Sequence, residues 1–166
     1  LRAEHVAAGR EPEDPCDVDA CRESALRLLD AADRPSGALR DRLIDKGYDD
    51  ETVAAVVDRL IEVGLVDDES YAQSAVRYCV GRLMGYRGAV MELARKGVDR
   101  PLAERVCDEA RMSGVFEDAA WELGRRSAAK TQGMDPKVRK RRFWSSGGRK
   151  GHDAETLRAI AHELFD

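Results

Sequence analysis

The sequence predicts an all-α protein of three tandem three-helix repeats, which we expect to stack into an elongated, curved body. The first observation is a tetrapeptide pattern, Lys-Gly-x-Asp, that begins at Lys46, Lys96 and Lys150, at offsets of 50 and 54 residues. The second is that an apolar stripe with helical spacing follows each copy. The third is that no stretch alternates apolar and polar residues for long enough to predict a strand. A chain of 166 residues suits a short run of such modules.

Each copy of the tetrapeptide has the chemistry of a junction between two helices. Its glycine reaches the left-handed conformation that ends a helix, and its lysine lies at the negative end of the helix dipole. Its aspartate accepts hydrogen bonds from the free N–H groups that open the next helix. The residue between them, which is Tyr48, Val98 or His152, can pack onto the fourth residue of that helix. We therefore expect the second and third helices of every repeat to meet here.

The chain begins with residues 1–20, for which six carboxylates and two prolines predict a flexible acidic tail. The first repeat follows over residues 21–66, and its three helices are indicated by runs of apolar side chains at helical spacing. These are Ala25, Leu26, Leu28 and Leu29 in the first helix, Leu39, Leu43 and Ile44 in the second, and Val53, Val56, Val57, Leu60 and Ile61 in the third.

The second repeat is predicted over residues 67–115 and the third over residues 116–166. Their first helices are expected at residues 71–83 and 119–130, and breaks containing glycine separate these from the second helices. The stripe of the third helix returns as Ala103, Val106, Cys107 and Ala110, and again as Leu157, Ile160, Ala161, Leu164 and Phe165. Units this small have marginal cores, so stacking would bury their remaining apolar faces.

Charge is distributed unevenly along the chain, although the formal net charge is only −4. Residues 1–70 hold nine basic and 19 acidic side chains, residues 71–116 hold eight and five, and residues 117–166 hold 11 and eight. An acidic first part and a basic last part favour an oriented protein partner or a polyanion over a small neutral substrate.

The candidate binding residues lie in the last part of the chain. Residues 124–150 contain ten lysines and arginines and a single acidic residue, Asp135. The ten basic residues are Arg125, Arg126, Lys130, Lys137, Arg139, Lys140, Arg141, Arg142, Arg149 and Lys150. Such a segment holds the phosphates of single- or double-stranded DNA weakly and without sequence preference, grips an acidic protein surface, or is simply a solvated helix face. Phe143 and Trp144 either stack on an exposed base or turn into the core.

Catalytic, cofactor and metal chemistry are not predicted. The sequence has no nucleophile elbow, P-loop or dinucleotide-binding glycine pattern, so we expect a protein that is not an enzyme and has no cofactor. His5, His152 and His162 lack partners at metal-ligand spacing, and four cysteines without a CxxC pair are typical of reduced thiols. The clusters Asp49-Asp50-Glu51 and Asp67-Asp68-Glu69 each precede a helix, which favours capping over magnesium binding. No apolar run approaches the ~20 residues of a membrane span, and we expect a cytoplasmic monomer.

Four stretches of the sequence form a recognisable pattern. They are Ala25-Leu26-Arg27-Leu28-Leu29, the pattern from Leu39 to Tyr48, Val56-x-x-x-Leu60, and Gly64-Leu65-Val66-Asp67-Asp68-Glu69 ahead of Tyr71 and Ala72. Together they resemble the RecX family of bacterial regulators. Glu92-Leu93 and Lys96-Gly97-Val98 fit the same pattern in the second repeat, and the resemblance covers residues 25–166. Ser145-Ser146-Gly147-Gly148 stands where the family has a bulky apolar pair, so we expect the second helix of the third repeat to be shortened or disordered.

The resemblance implies a function that composition and spacing do not. RecX-like proteins bind along the groove of the RecA–DNA filament and contact more than one RecA subunit. They inhibit the ATP hydrolysis, strand exchange and co-protease activity of RecA, and so modulate homologous recombination and the SOS response. The partner implied for this chain is therefore the RecA filament.

Two other classes of function stay open on the residues alone. Residues 39–64 can be read as a helix-turn-helix with its turn at Gly47, although Asp50, Glu51 and Asp58 would make the recognition helix repel DNA phosphates. The other class is a helical-repeat scaffold that binds a different protein.

Overall fold

The computed structural model describes residues 11–166, and every regular element within that range is an α-helix. The predicted all-α class is therefore confirmed. The helices are α1 (Val18–Ala31), α2 (Ser36–Asp45), α3 (Asp50–Glu62), α4 (Asp68–Gly81), α5 (Tyr86–Arg95), α6 (Arg100–Met112), α7 (Val115–Lys130), α8 (Pro136–Arg149) and α9 (Ala154–Phe165). No helix in the described part of the chain is long and apolar enough to span a membrane.

The three tetrapeptides lie at the α2–α3, α5–α6 and α8–α9 junctions, where the sequence predicts helix ends. Gly47, Gly97 and Gly151 have φ angles of 109°, 100° and 84°, the left-handed region that glycine enters without a Cβ penalty. The N–H of the residue after each glycine donates to a carbonyl in the last turn of the preceding helix, over 3.3, 3.0 and 3.0 Å in chain order. The predicted glycine-terminated junction is thus confirmed in all three copies.

The aspartates of the tetrapeptide do not all behave alike. Asp49 and Asp153 each accept a hydrogen bond, over 2.8 Å, from the N–H of the third residue of the helix that follows. Asp99 makes no such side-chain bond, so the predicted cap is wrong in the middle copy. Pro101 is the second residue of α6, and its ring removes one of the N–H groups that a cap serves while favouring a helix start by itself.

The structure divides into two compact units, of which the first ends at Tyr71 and the second is Ala72–Asp166. The core of the first unit lies among α1, α2 and α3. Its buried side chains are Cys21, Ala25, Leu28, Leu39, Leu43, Tyr48, Val53, Val56, Val57, Leu60 and Val66. The apolar stripes that predict these helices therefore face one another. This division into two units does not test the predicted boundaries of the three repeats, which stay a prediction.

The segment before α1 differs from the predicted flexible tail. The carbonyl of Pro15 accepts the N–H of Asp49 over 3.1 Å, and the Cys16 thiol donates to the Asp49 carboxylate over 2.7 Å. Asp17 caps α1, which begins at Val18 rather than after residue 20. Local capping and these contacts with the α2–α3 junction order residues 11–20, and the rest of the predicted tail lies outside the described residues.

In the second unit, α7, α8 and α9 enclose a core that contains Ala120, Leu123, Phe143, Leu157, Ile160 and Phe165. The helix α8 runs through Ser145–Gly148 to Arg149, so the expectation of a shortened or disordered helix is wrong. The reason is packing. Gly147 is buried against Leu157, and a Cβ atom at that position would overlap the leucine side chain. A glycine in this helix therefore allows the close approach of α9 instead of ending α8.

In the second unit, two turns that are distant in sequence contact each other directly. The N–H of Gly85, before α5, donates to the carbonyl of Lys150, after α8, over 2.8 Å. The Nε2 atom of His152 hydrogen-bonds the carbonyl of Leu83 over 2.7 Å. A Cβ atom at Gly88 would overlap the Lys150 carbonyl, so the two backbones meet directly. We call this contact the turn interlock.

Candidate functional site

The helix α8 distributes the predicted basic run over three directions. Successive residues of a helix are rotated by about 100°, so neighbouring charges in the sequence leave the axis on different sides. Arg142 and Lys150 lie on the side of α7 and the end of α4, whereas Lys140 and Arg141 lie on the side of α9. Arg139 turns toward α7 and α9. The run is therefore not one continuous basic face.

Five basic side chains converge on a depression of about 430 Å³ that we call the basic cavity. Its cations are Arg82, Arg126, Lys130, Arg142 and Lys150. Among the described residues that line the basic cavity, none carries a carboxylate, and the hydroxyl-bearing residues Ser127, Thr131 and Ser146 complete the wall. The cavity thus combines excess positive charge with hydrogen-bond donors.

The cations of the basic cavity differ in how far they are committed to the protein. The Lys150 ammonium donates to the carbonyl of Arg82 over 2.8 Å, which anchors it at the edge of the cavity. Arg126 donates to Glu122 over 3.0 Å. Within residues 11–166, Lys130 and Arg142 form no ion pair, so both are available to an anion.

Arg139 is held by the fold. Its guanidinium donates to the Thr131 hydroxyl and to the Ala128 carbonyl, over 3.1 Å each. It also lies over the Phe165 ring, 5.1 Å from the centroid. These contacts close the end of α7 against α8 and α9, so Arg139 stabilises the unit and is not available to bind a partner.

The α8–α9 side of the unit presents an exposed aromatic ring. Phe143 is fully buried, which is the core position expected for both rings in the second alternative. Trp144 is 43% exposed, so its ring stays accessible at the surface. The Trp144 depression, of about 590 Å³, also contains Arg141 and Lys140. Lys140 pairs with Asp166, and this hydrogen bond lowers the pKa of the Asp166 carboxyl. Its positive charge is therefore partly neutralised.

The other predicted binding residues are exposed and scattered. Arg125 donates to Glu122 over 3.2 Å, and Glu122 therefore serves two arginines, with its pKa lowered by the hydrogen bonds from Arg126 and then Arg125. Lys137 and Arg149 are exposed on α8. The structure brings Arg126, Lys130, Arg142 and Lys150 together in the basic cavity, and Lys140 and Arg141 together in the Trp144 depression.

Arg82 is the cavity residue that sequence reasoning missed. It follows the last residue of α4, 68 positions before Lys150, and belongs to a different predicted repeat. No local pattern marks it, because only the turn interlock brings it next to the basic segment.

The acidic clusters cap helices, as predicted. Asp67 accepts the N–H of Ser70 over 3.0 Å at the start of α4, and Asp68 accepts the N–H of Ser36 over 2.6 Å at the start of α2. In the described part of the chain, no group of three or more histidines, cysteines and carboxylates is placed to hold a metal ion. His5 lies outside that part.

The cysteines are free thiols. Burial raises the pKa of Cys21 to about 11 and that of Cys107 to about 12. A hydrogen bond to Asp49 raises the pKa of the exposed Cys16. These thiols are therefore protonated at neutral pH and are poor nucleophiles.

Comparison with known proteins gives one consistent family. A family model for the first three-helix domain of RecX matches residues 21–60. The chain is similar to the regulatory protein RecX of Thermobifida fusca, with 38% identity over 147 residues, which are 86% of this chain and 78% of that protein. It is also 32% identical to the regulatory protein RecX of Streptomyces lividans over 158 residues, 94% of this chain and 82% of that one.

A solved structure gives the same result for the fold. The crystal structure of RecX from Lactobacillus salivarius matches with a TM-score of 0.78 and 21% identity, over 89% of this chain and 96% of that chain. At this identity the match bears on the arrangement of helices alone. The predicted tandem helical fold is therefore confirmed.

Proposed function

Because the chain belongs to the RecX family of regulatory proteins, we propose that it binds the RecA–DNA filament and inhibits RecA. The activities inhibited are ATP hydrolysis, strand exchange and co-protease activity, so the protein would modulate recombination and the SOS response in the cytoplasm as a monomer. The observation that carries this proposal is that sequence similarity to RecX proteins extends over most of the chain and is not confined to one repeat.

The surface of the second unit supports a role in seating the protein on the filament. A protein–DNA filament carries the phosphates of its DNA, and exposed basic side chains are attracted to them. Several helical modules in tandem would touch successive RecA subunits, and each added contact acts at a high effective concentration. The acidic first part of the chain and the basic last part would fix one orientation in the groove.

The contacts of each basic side chain indicate which of them to substitute in a test. Arg139 and Lys140 are committed to contacts within the unit, so their loss would weaken the fold as well as any binding. Lys137, Arg141, Arg142 and Arg149 are exposed and form no ion pair within the described residues. These four form the seating set.

The test measures ATP hydrolysis by RecA on single-stranded DNA while the protein is titrated. We expect the parent chain to lower the rate, and the variant with the seating set changed to alanine to need at least about tenfold more protein, with a weaker dependence on salt. The matched control replaces four exposed arginines of the first unit and should inhibit as the parent does. These are Arg22, Arg27, Arg42 and Arg59.

Two results would count against the proposal. If the parent chain left RecA hydrolysis unchanged at saturating concentration, inhibition of RecA would be wrong. If the seating variant inhibited as well as the parent, the role of these four bases would be wrong while inhibition stood. Binding of duplex DNA alone would favour the helix-turn-helix alternative, against which the exposed carboxylates of Asp50, Glu51 and Asp58 on α3 argue.

A further inference from the structure

We propose that the basic cavity is a site for phosphate groups, and that the linked phosphates of a single-stranded nucleic acid are its ligand. The cavity is formed by Arg82, Arg126, Lys130, Arg142 and Lys150. Binding here requires no RecA, so the proposal is independent of the proposed function and fails or succeeds separately from it.

The first step is electrostatic. Five like charges line a depression of about 430 Å³, and no described lining residue is acidic. Arg126 is paired with Glu122 outside the lining, at 3.0 Å, as Arg100 is with Glu104 at 3.1 Å. Lys130 and Arg142 have no such partner within residues 11–166, and the repulsion between the cations would be relieved by a bound anion.

The second step concerns the donors. Arg142 and Lys130 are free of ion pairs within residues 11–166, and an arginine can offer two parallel N–H groups to a phosphate. The walls add the hydroxyls of Ser127 and Ser146. A carboxylate has one charge and two oxygens, which a single arginine satisfies, whereas several linked phosphates match several cations and hydroxyls together. The donor set therefore favours phosphates over an acidic peptide.

The third step is that the cations are held in place by the fold. They come from α7, α8, the end of α4 and the turn after α8, and the turn interlock fixes the last two elements to each other. The hydrogen bond from the Lys150 ammonium to the Arg82 carbonyl ties two of the cavity residues together directly. Such preorganisation lowers the entropy lost on binding.

The volume of the depression is compatible with this ligand. About 430 Å³ lies within the roughly 300–1,000 Å³ that small-molecule sites usually occupy. Because no base-reading geometry is present among the lining residues, we expect binding without sequence preference.

The test uses the full chain and a fluorescein-labelled oligothymidylate, with binding measured by fluorescence anisotropy as a function of salt. The cavity variant is Lys130→Ala with Arg142→Ala. The control is Arg77→Ala with Arg158→Ala, which removes the same charge from exposed arginines of the same unit that lie outside both the cavity and the seating set. We expect the cavity variant to bind at least about tenfold more weakly, with the slope of log affinity against log salt reduced by about 1.4, since each phosphate contact to a single strand contributes about 0.7. The control should stay within about threefold of the parent.

Competitors identify the source of the phosphate. Displacement by inorganic pyrophosphate would support the site and show that a free phosphate suffices, whereas resistance to pyrophosphate with loss of binding in the cavity variant would support linked phosphates. Equal loss in the cavity and control variants would overturn the proposal in favour of diffuse surface charge. Displacement by polyglutamate as effective as by unlabelled oligothymidylate would overturn it in favour of an acidic peptide, and no binding of either phosphate probe would overturn it outright.

Discussion

Gly147 and Gly148 are neighbours in α8, and their replacement by alanine has opposite expected effects. A Cβ atom at Gly147 would overlap the buried Leu157 side chain, so Gly147→Ala should lower the free energy of unfolding by about 1–3 kcal/mol. A Cβ at Gly148 would have no neighbour within 4 Å, so Gly148→Ala should raise it by up to about 1 kcal/mol. Urea unfolding followed by tryptophan fluorescence measures both. Equal stabilisation of the two variants would show that helix propensity, and not packing against Leu157, governs this segment.

Asp153 and Asp99 share a position in the repeated tetrapeptide, but only Asp153 caps its helix. We expect Asp153→Ala to lower the free energy of unfolding by about 1 kcal/mol at pH 7 and Asp99→Ala to leave it nearly unchanged. Hydrogen bonding from Thr156 lowers the pKa of the Asp153 carboxyl below 3.8. The stabilisation from this cap is therefore complete above that value and is lost as the pH falls through the lowered pKa. Thermal denaturation measures this. The Asp153 variant should be less stable than the Asp99 variant at pH 7, and the gap between them should be smaller at about pH 3.

An equal loss of stability in both aspartate variants at pH 7 would contradict this account. It would mean that the aspartates act through their charge near the helix dipole rather than through the bond seen at Asp153. The Asp99 variant serves as the matched control, because it removes the same side chain from the same place in the repeat.

The sequence predicted single residues best where their role depends on adjacent positions. The left-handed glycines Gly47, Gly97 and Gly151 are correct because a helix end is a local event. Asp99 failed because Pro101 changes the donors of the first turn, and Gly147 was misread because the partner that requires it, Leu157, lies in the next helix. When the role of a residue depends on a contact with a distant part of the chain, its sequence neighbours do not reveal that role.

At the scale of the helices, periodicity predicted which elements exist but not which way the charges of α8 would point. The basic run is continuous in sequence and divided in space, with Arg139 turned inward and Arg142 facing the basic cavity. The depth of the basic cavity depends on α7 and on the end of α4. These placements follow from tertiary packing, which the hydrophobic stripe of one helix does not encode.

The turn interlock predicts that Gly88 tolerates no side chain. A Cβ atom there would overlap the carbonyl of Lys150, which is backbone and cannot move aside as a side chain does. We expect Gly88→Ala to lower the free energy of unfolding of the second unit by about 2 kcal/mol or more. Gly81→Ala is the control, because a Cβ at Gly81 would have no neighbour within 4 Å.

Hydrogen exchange of the backbone amides tests this prediction directly. The N–H of Gly85, which donates to the Lys150 carbonyl, should lose protection in the Gly88 variant and keep it in the Gly81 variant. Unchanged protection of Gly85 in the Gly88 variant would show that the interlock does not hold the two turns together.

At the scale of the whole chain, the sequence indicated a basic region but not the site within it. Arg82 joins the basic cavity from 68 residues before Lys150, through backbone contacts at glycines that carry no charge pattern. A net-charge profile therefore located the right region of the chain and missed one of the five cations. What the profile lacked was the long-range contact between two turns.

The division into two compact units leads to a prediction about unfolding, because both tryptophans of the chain, Trp121 and Trp144, belong to the second unit. Tryptophan fluorescence should follow that unit alone, whereas far-ultraviolet circular dichroism follows all helices. Leu43 is fully buried in the core of the first unit, so Leu43→Ala should cost about 2–5 kcal/mol there. We expect it to shift the urea midpoint seen by circular dichroism more than the midpoint seen by fluorescence.

The reciprocal variant completes this test. Leu157 is 2% exposed and lies in the core of the second unit, so Leu157→Ala removes the same side-chain atoms from the other core. It should lower the fluorescence midpoint by at least as much as the circular dichroism midpoint. If each variant instead moved both midpoints by the same amount, the two cores would unfold as one cooperative system, and separate stabilities for the units would be ruled out.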